Sequence, residues 1–233
     1  MTNTERERLR ARCASSEPTT WVLTGDSITH GLVHTHGARN YVDHLHELIR
    51  GDLGRTRDVI INTGISGHRI TQILDDFGRR VADWHPDVVT LMIGTNDAAT
   101  NRAEVVQPHN FGDSLRTFVA RVRQFNAIPV LQTPPFVDIT HAPERARIAE
   151  FVAAVRAVAH LDDVILVDQH AWFTEEAAGG VPWRFMSDPF HPNDAGHAAL
   201  ALTLAEALDL HTIDHPERVL TDLRARIALA QRR

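Results

Sequence analysis

Pro86-Asp87-Val88-Val89-Thr90-Leu91-Met92-Ile93-Gly94 is the stretch on which the fold turns. Its apolar run is short, rich in β-branched residues, preceded by proline and ended by glycine, which reads as a strand buried on both faces at the centre of a parallel sheet. Shorter runs of the same kind flank it. Thr20-Trp21-Val22-Leu23-Thr24 is broken by Gly25-Asp26, and Asp58-Val59-Ile60-Ile61-Asn62 is closed by Thr63-Gly64. Ile128-Pro129-Val130-Leu131-Gln132 and Val164-Ile165-Leu166-Val167 follow it.

Between the strands, helices are predicted over 39–51, along Ile70, Ile73, Leu74 and Phe77, and over 112–125, 143–160 and 193–208, the last with Asn193 or Asp194 as N-cap. Strands alternating with amphipathic helices imply an α/β fold, a three-layer α/β/α sandwich on a five-stranded parallel sheet. No linker divides the chain, so 1–233 is read as one domain: a core over about 20–208, a short charged N-terminal segment, and a tail over 216–233. That tail carries Leu220, Leu223 and Ile227 on one helical face among five arginines, as a docked or oligomer-forming helix would.

Composition removes several kinds of chemistry. All 24 basic residues of the 233 are arginine, which excludes a Schiff-base lysine, a Ser-Lys dyad and a phosphate-loop lysine. A net charge of −6 without a basic run argues against a nucleic-acid partner. The single cysteine, Cys13, precludes an intrachain disulfide and a structural Cys-zinc site. No stretch of about 18 apolar residues occurs, and residues 4–12 are charged, so no membrane partner and a cytoplasmic location are expected.

In open parallel sheets, ligands bind at the carboxyl ends of the strands. Four segments fall at that edge: Gly25-Asp26-Ser27, Gly64-Ile65-Ser66-Gly67, Gly94-Thr95-Asn96-Asp97 and, before the last helix, Asp188-Pro189-Phe190-His191. A serine hydroxyl becomes a useful nucleophile when a neighbouring base takes its proton, and histidine has the pKa for that task. His191 can serve Ser27, 164 positions upstream, if Asp188 accepts its other ring proton. Each segment alone has a plain structural reading: an ordinary turn, a turn glycine, a helix cap, an N-terminal turn. Their joint occurrence, in order and at strand ends, points to catalysis.

These blocks resemble those of the SGNH hydrolases, the GDSL-type esterases and lipases, in family order from Gly25 to His197. The resemblance implies a flavodoxin-like, doubly wound sheet and ester hydrolysis without a cofactor. It also implies Ser27 as nucleophile, His191 as general base with Asp188 behind it, and an oxyanion hole formed by Ser27, Gly67 and Asn96. Ile28 stands where the family name has leucine, a variant that weakly disfavours a long-chain lipase. The expected substrate is a small polar ester, an O-acetyl group on a carbohydrate or similar metabolite. A thioesterase or lysophospholipase on the same fold, or a non-catalytic flavodoxin-like binding module, are the alternatives.

Fifteen histidines invite a metal reading, with His34 and His36 or His44 and His46 as close pairs. The second pair is splayed by its helix, and no metal is expected. His34 and His36 are instead read as part of a substrate-facing loop, with Arg69, Phe136 and Phe190 as further specificity candidates.

Overall fold

The computed structural model of the chain describes residues 4–210 and 217–232. Its elements are α1 (Glu5–Ala14), β1 (Thr20–Gly25), α2 (Ser27–His30), α3 (Tyr41–Glu47), β2 (Val59–Asn62), α4 (Ile70–Asp75), α5 (Phe77–Arg80), β3 (Val88–Met92), α6 (Pro108–Gln124), β4 (Ile128–Gln132), α7 (Ile148–Leu161), β5 (Ile165–Val167), α8 (Gln169–Ala177), α9 (Asp194–Ala207) and α10 (Arg218–Gln231). The strands are all parallel and lie in the order β2-β1-β3-β4-β5. This is the α/β arrangement expected from the sequence. β3 is buried along its whole length, whereas the edge strand β2 is exposed at both ends.

Alternation along the strands feeds two cores. Trp21 and Leu23 of β1, with Val88 and Met92 of β3, pack under residues of α1, α3, α8, α9 and α10. Val22, Val89 and Leu91 face the opposite way, toward α4, α5, α6 and α7. Helices therefore cover both faces, which is why the central strand reads as one continuous apolar run.

Helix ends depart from the sequence expectation for local reasons. α6 starts at Pro108, where a missing N–H costs nothing because the first helical position has no intrahelical acceptor. The segment expected over 39–51 begins as α3 and widens into a π turn at Leu48–Asp52. That over 143–160 divides into a 3₁₀ turn, Pro143–Arg145, and α7. Helix α1 occupies the N-terminal segment that the sequence marks only by its charge. Its capping box, Thr4 with Glu7, starts it, and Leu9 anchors it in the core. Helix α8 buries little beyond Gln169 and Phe173, too few positions to mark a helix by spacing.

Leu220, Leu223 and Ile227 of α10 are buried in the same core as α9, so the apolar face of the tail is covered within the chain. The ends of that predicted tail, Pro216 and Arg233, lie outside the described residues. Among the described residues no helix is long and apolar enough to cross a membrane.

The chain goes from β1 outward to β2, then returns past β1 to β3. The winding direction thus reverses between β1 and β3, the place where such sheets hold ligands.

Candidate active site

Ser27 opens α2 directly after β1. Asp26 caps this single turn, accepting the Ile28 N–H at 3.0 Å, and Gly31 ends it with φ 73°. Gly25 permits the close turn: a Cβ there would lie 2.3 Å from the Met92 carbonyl and 2.4 Å from Thr29 Oγ1. The fully buried Arg80 holds the turn from below, donating to the Gly25 carbonyl and to Thr24 Oγ1, both at 2.9 Å.

The fourth segment meets this turn from the other side. Ser27 Oγ lies 2.8 Å from His191 Nε2, and His191 Nδ1 lies 2.7 Å from Asp188 Oδ2. The second carboxylate oxygen, Oδ1, accepts the backbone N–H groups of Phe190 at 3.0 Å and His191 at 2.8 Å. Partial burial raises the Asp188 carboxyl, but the bonds from His191 and Phe190 outweigh it and bring it down to about 2. It is therefore an anion throughout the neutral range.

Asn193 fastens this segment to α9, as its sequence position suggested. It caps the helix through Gly196 N–H at 3.0 Å and donates to the carbonyls of Arg184 and Met186. Gly196 lets α9 approach, since a Cβ there would fall 2.2 Å from the Phe185 carbonyl.

The remaining two segments lie beside this turn. Ile65 N–H donates to the Gly25 carbonyl at 3.1 Å, so the loop carrying Gly67 is tied beside the Ser27 turn. Gly67 has φ 79°, which glycine adopts without strain. Asn96 is buried, and its Nδ2 faces the His68 carbonyl at 3.2 Å and Asp26 Oδ2 at 3.4 Å. Its amide therefore touches the residue after Gly67 and the residue before Ser27. The opposite side of that amide, Oδ1, is 3.4 Å from Arg102 Nη2. No helix begins at Asn96. The capping role weighed for that segment falls to Asp97, whose Oδ1 accepts the Ile70 N–H of α4 at 3.0 Å.

The specificity candidates are placed less uniformly. His34 lies flat on His191, ring centroids 3.6 Å apart and planes 7° from parallel, with its Nδ1 3.4 Å from Asp188 Oδ2. His36 reaches Ser187 Oγ at 3.4 Å. Phe190 packs beside the His191 ring at 4.5 Å, with the Arg145 guanidinium 3.7 Å above its own ring. Arg69 is turned to the Glu104 carbonyl at 2.6 Å, and Phe136 is half-buried against the core. Arg80, Arg102 and Arg145 carry no sequence signal: Arg80 and Arg145 meet Gly25 and Phe190 across the fold, and Arg102 meets Asn96 six positions away in a run of turns, at no spacing that marks a helix or strand.

His34, Asp188 and His191 bring three ligand-type atoms within 4.8 Å of one another. Imidazole lone pairs lie in the ring plane, so two rings stacked almost parallel aim them side by side and not at a common point. Metal coordination would require the stack to open.

Residues 23–199 match the model of the GDSL-like Lipase/Acylhydrolase family, about three quarters of the chain. The chain belongs to that family. It is accordingly a hydrolase of the carboxylic-ester type. Within this GDSL-like family, an acetylxylan esterase from Geobacillus stearothermophilus is 26% identical over 149 residues, 61% of this chain and 68% of the relative. Among solved structures, LAE5, an α/β hydrolase from the metagenome of Lake Arreo, Spain, is 26% identical with a TM-score of 0.72, covering 84% of this chain and 99% of its own. Axe2, an acetylxylan esterase from Geobacillus stearothermophilus, has a TM-score of 0.72 at 22% identity over 84% and 97% of the two chains, a likeness of fold. Structures described as catalytic mutants of Axe2 replace a serine, an aspartate, and a histidine three positions after that aspartate.

Proposed function

We propose that this chain is a serine esterase that removes a small acyl group, an O-acetyl, from a carbohydrate or related metabolite through an acyl-enzyme intermediate. The observation that carries the reading is the continuous relay from Ser27 Oγ through His191 to Asp188, at 2.8 and 2.7 Å. The acetylxylan esterase relative and the serine, aspartate and histidine of the Axe2 catalytic mutants support both the acetyl group and the relay.

In this mechanism Ser27 Oγ attacks the ester carbonyl as His191 Nε2 takes its proton. The anionic Asp188 stabilises the imidazolium. Negative charge on the carbonyl oxygen is met by the N–H groups of Ser27 and Gly67 and the Asn96 amide. Collapse expels the sugar alkoxide, which takes the proton from His191, and leaves Ser27 acylated. Water, deprotonated by His191, then attacks the acyl-enzyme, and collapse breaks the bond to Ser27 Oγ, which takes the proton back from His191 as the acid departs.

A serine-directed phosphonate should label Ser27 alone and abolish hydrolysis, and Ser27→Ala should be inactive on acetyl esters. Full activity in Ser27→Ala would overturn the reading. A preference for decanoyl over acetyl esters would move the substrate to the thioesterase or lysophospholipase class.

A further inference from the structure

Outside the relay itself, the most unusual contact in the molecule is the one that His34 makes. Its ring covers one face of His191 in a near-parallel stack, while its Nδ1 approaches the same Asp188 oxygen that receives His191 Nδ1. Phe190 packs against that ring as well, at 45°. We propose that His34 is a positioning residue for the general base: it fixes the plane of the His191 ring by stacking on it beside their shared neighbour Asp188. The inference rests on the serine-esterase reading above.

The loop is built to deliver this ring. Leu32 and Val33 point outward, 57% and 79% exposed, so their side chains gain nothing from the loop conformation. Val33 nevertheless holds φ 69°, a strained conformation for a β-branched residue that persists only where surrounding contacts enforce it. Those contacts are at the next two residues: the buried Thr35 donates to the Gly31 carbonyl at 3.2 Å, and His34 sits on His191. A substrate-contacting histidine would point away from the relay. This one lies on it.

The electrostatic consequence has a definite sign. Burial and then the neighbouring His191 charge keep His34 below the ordinary histidine range, so at neutral pH it presents an uncharged π face to the imidazolium that forms during catalysis, a favourable arrangement. In acid, a proton on His34 opposes a proton on His191. Other ionisable groups facing this pair are Asp188, His36 and the buried His197, with Asp26 and Arg145 around His191 and Asp188.

The test compares wild type, His34→Ala, His34→Phe and His34→Asn on p-nitrophenyl acetate from pH 5 to 9, with Ser27→Ala alongside. His34→Ala should lower kcat about tenfold with KM within about twofold, the signature of a misoriented base. His34→Phe restores the stack without the ring nitrogens: kcat should return to within about threefold of wild type. His34→Asn, a donor without a ring, should remain as slow as His34→Ala. A His34→Ala enzyme with wild-type kcat would overturn the proposal, as would a loss confined to KM, or His34→Phe no faster than His34→Ala. Should Ser27→Ala stay active, the esterase reading itself fails; an inactive Ser27→Ala beside a normal His34→Ala removes only the role of His34.

Discussion

At the scale of single residues, Asn96 separates catalysis from architecture most cleanly. Its Nδ2 rests on the His68 carbonyl and Asp26, and no helix begins at it, so a capping role does not explain its burial. A donor to the oxyanion acts most strongly as charge develops on the carbonyl oxygen, so its loss belongs to the transition state. Asn96→Ala should lower kcat by roughly 10²- to 10³-fold with KM nearly unchanged. Steady-state kinetics on an acetyl ester, with circular dichroism to verify folding, decide it; normal kcat in a folded variant removes Asn96 from the oxyanion hole. The motif residues were legible because they sit at strand ends in a fixed order. His34 was legible only as a loop histidine, and Arg80 not at all, since its contact with Gly25 spans 55 positions.

At the scale of elements, the strands were legible to within about one residue, because burial on both faces leaves an uninterrupted apolar run. The helices were less so where few residues reach the core. α1 shows how such an element is held. Arg55 Nη1 donates to the carbonyls of Cys13, in the last turn of α1, and Ser15, just beyond it, at 2.9 and 2.6 Å, and Arg55 Nε pairs with the buried Asp58 at 2.7 Å. Asp58 in turn accepts the Thr19 N–H and Trp21 Nε1, at the end of β1 opposite Ser27. Removing the guanidinium leaves a buried carboxylate without its cation, a change of about 3–5 kcal/mol. Arg55→Ala should lose about 3 kcal/mol or more in urea unfolding while the folded fraction keeps its kcat. A loss below about 1 kcal/mol, the range of exposed pairs, would show that this network does not bind α1 to the sheet.

At the scale of the whole molecule, buried ionisable groups of opposite kind set how stability answers to pH. Burial raises Asp26 to about 6, and raises Asp97 to about 7 with the Asp26 charge adding to it; Asp97 Oδ2 has no hydrogen-bond partner. Between the unfolded carboxylate range near pH 4 and these values, the folded chain holds protons that the unfolded chain has released, so this part of the stability is present in acid and lost as pH rises toward 7. His197, buried and accepting the Tyr41 N–H at 3.2 Å, is lowered to about 3, and His44 to about 4. Their contribution runs the other way, present above the unfolded histidine range and lost as pH falls through those values. The two trends oppose each other across pH 4 to 6.5, so the wild-type curve alone cannot reveal either. A difference measurement isolates one. Asp97→Asn cannot ionise, so its unfolding free energy minus that of wild type should climb between about pH 4 and 7, by up to about 4 kcal/mol, and then level off. Urea titrations at pH 4.5, 6 and 8 measure that difference, and a flat one would mean that Asp97 titrates in the folded protein as it does in the unfolded chain.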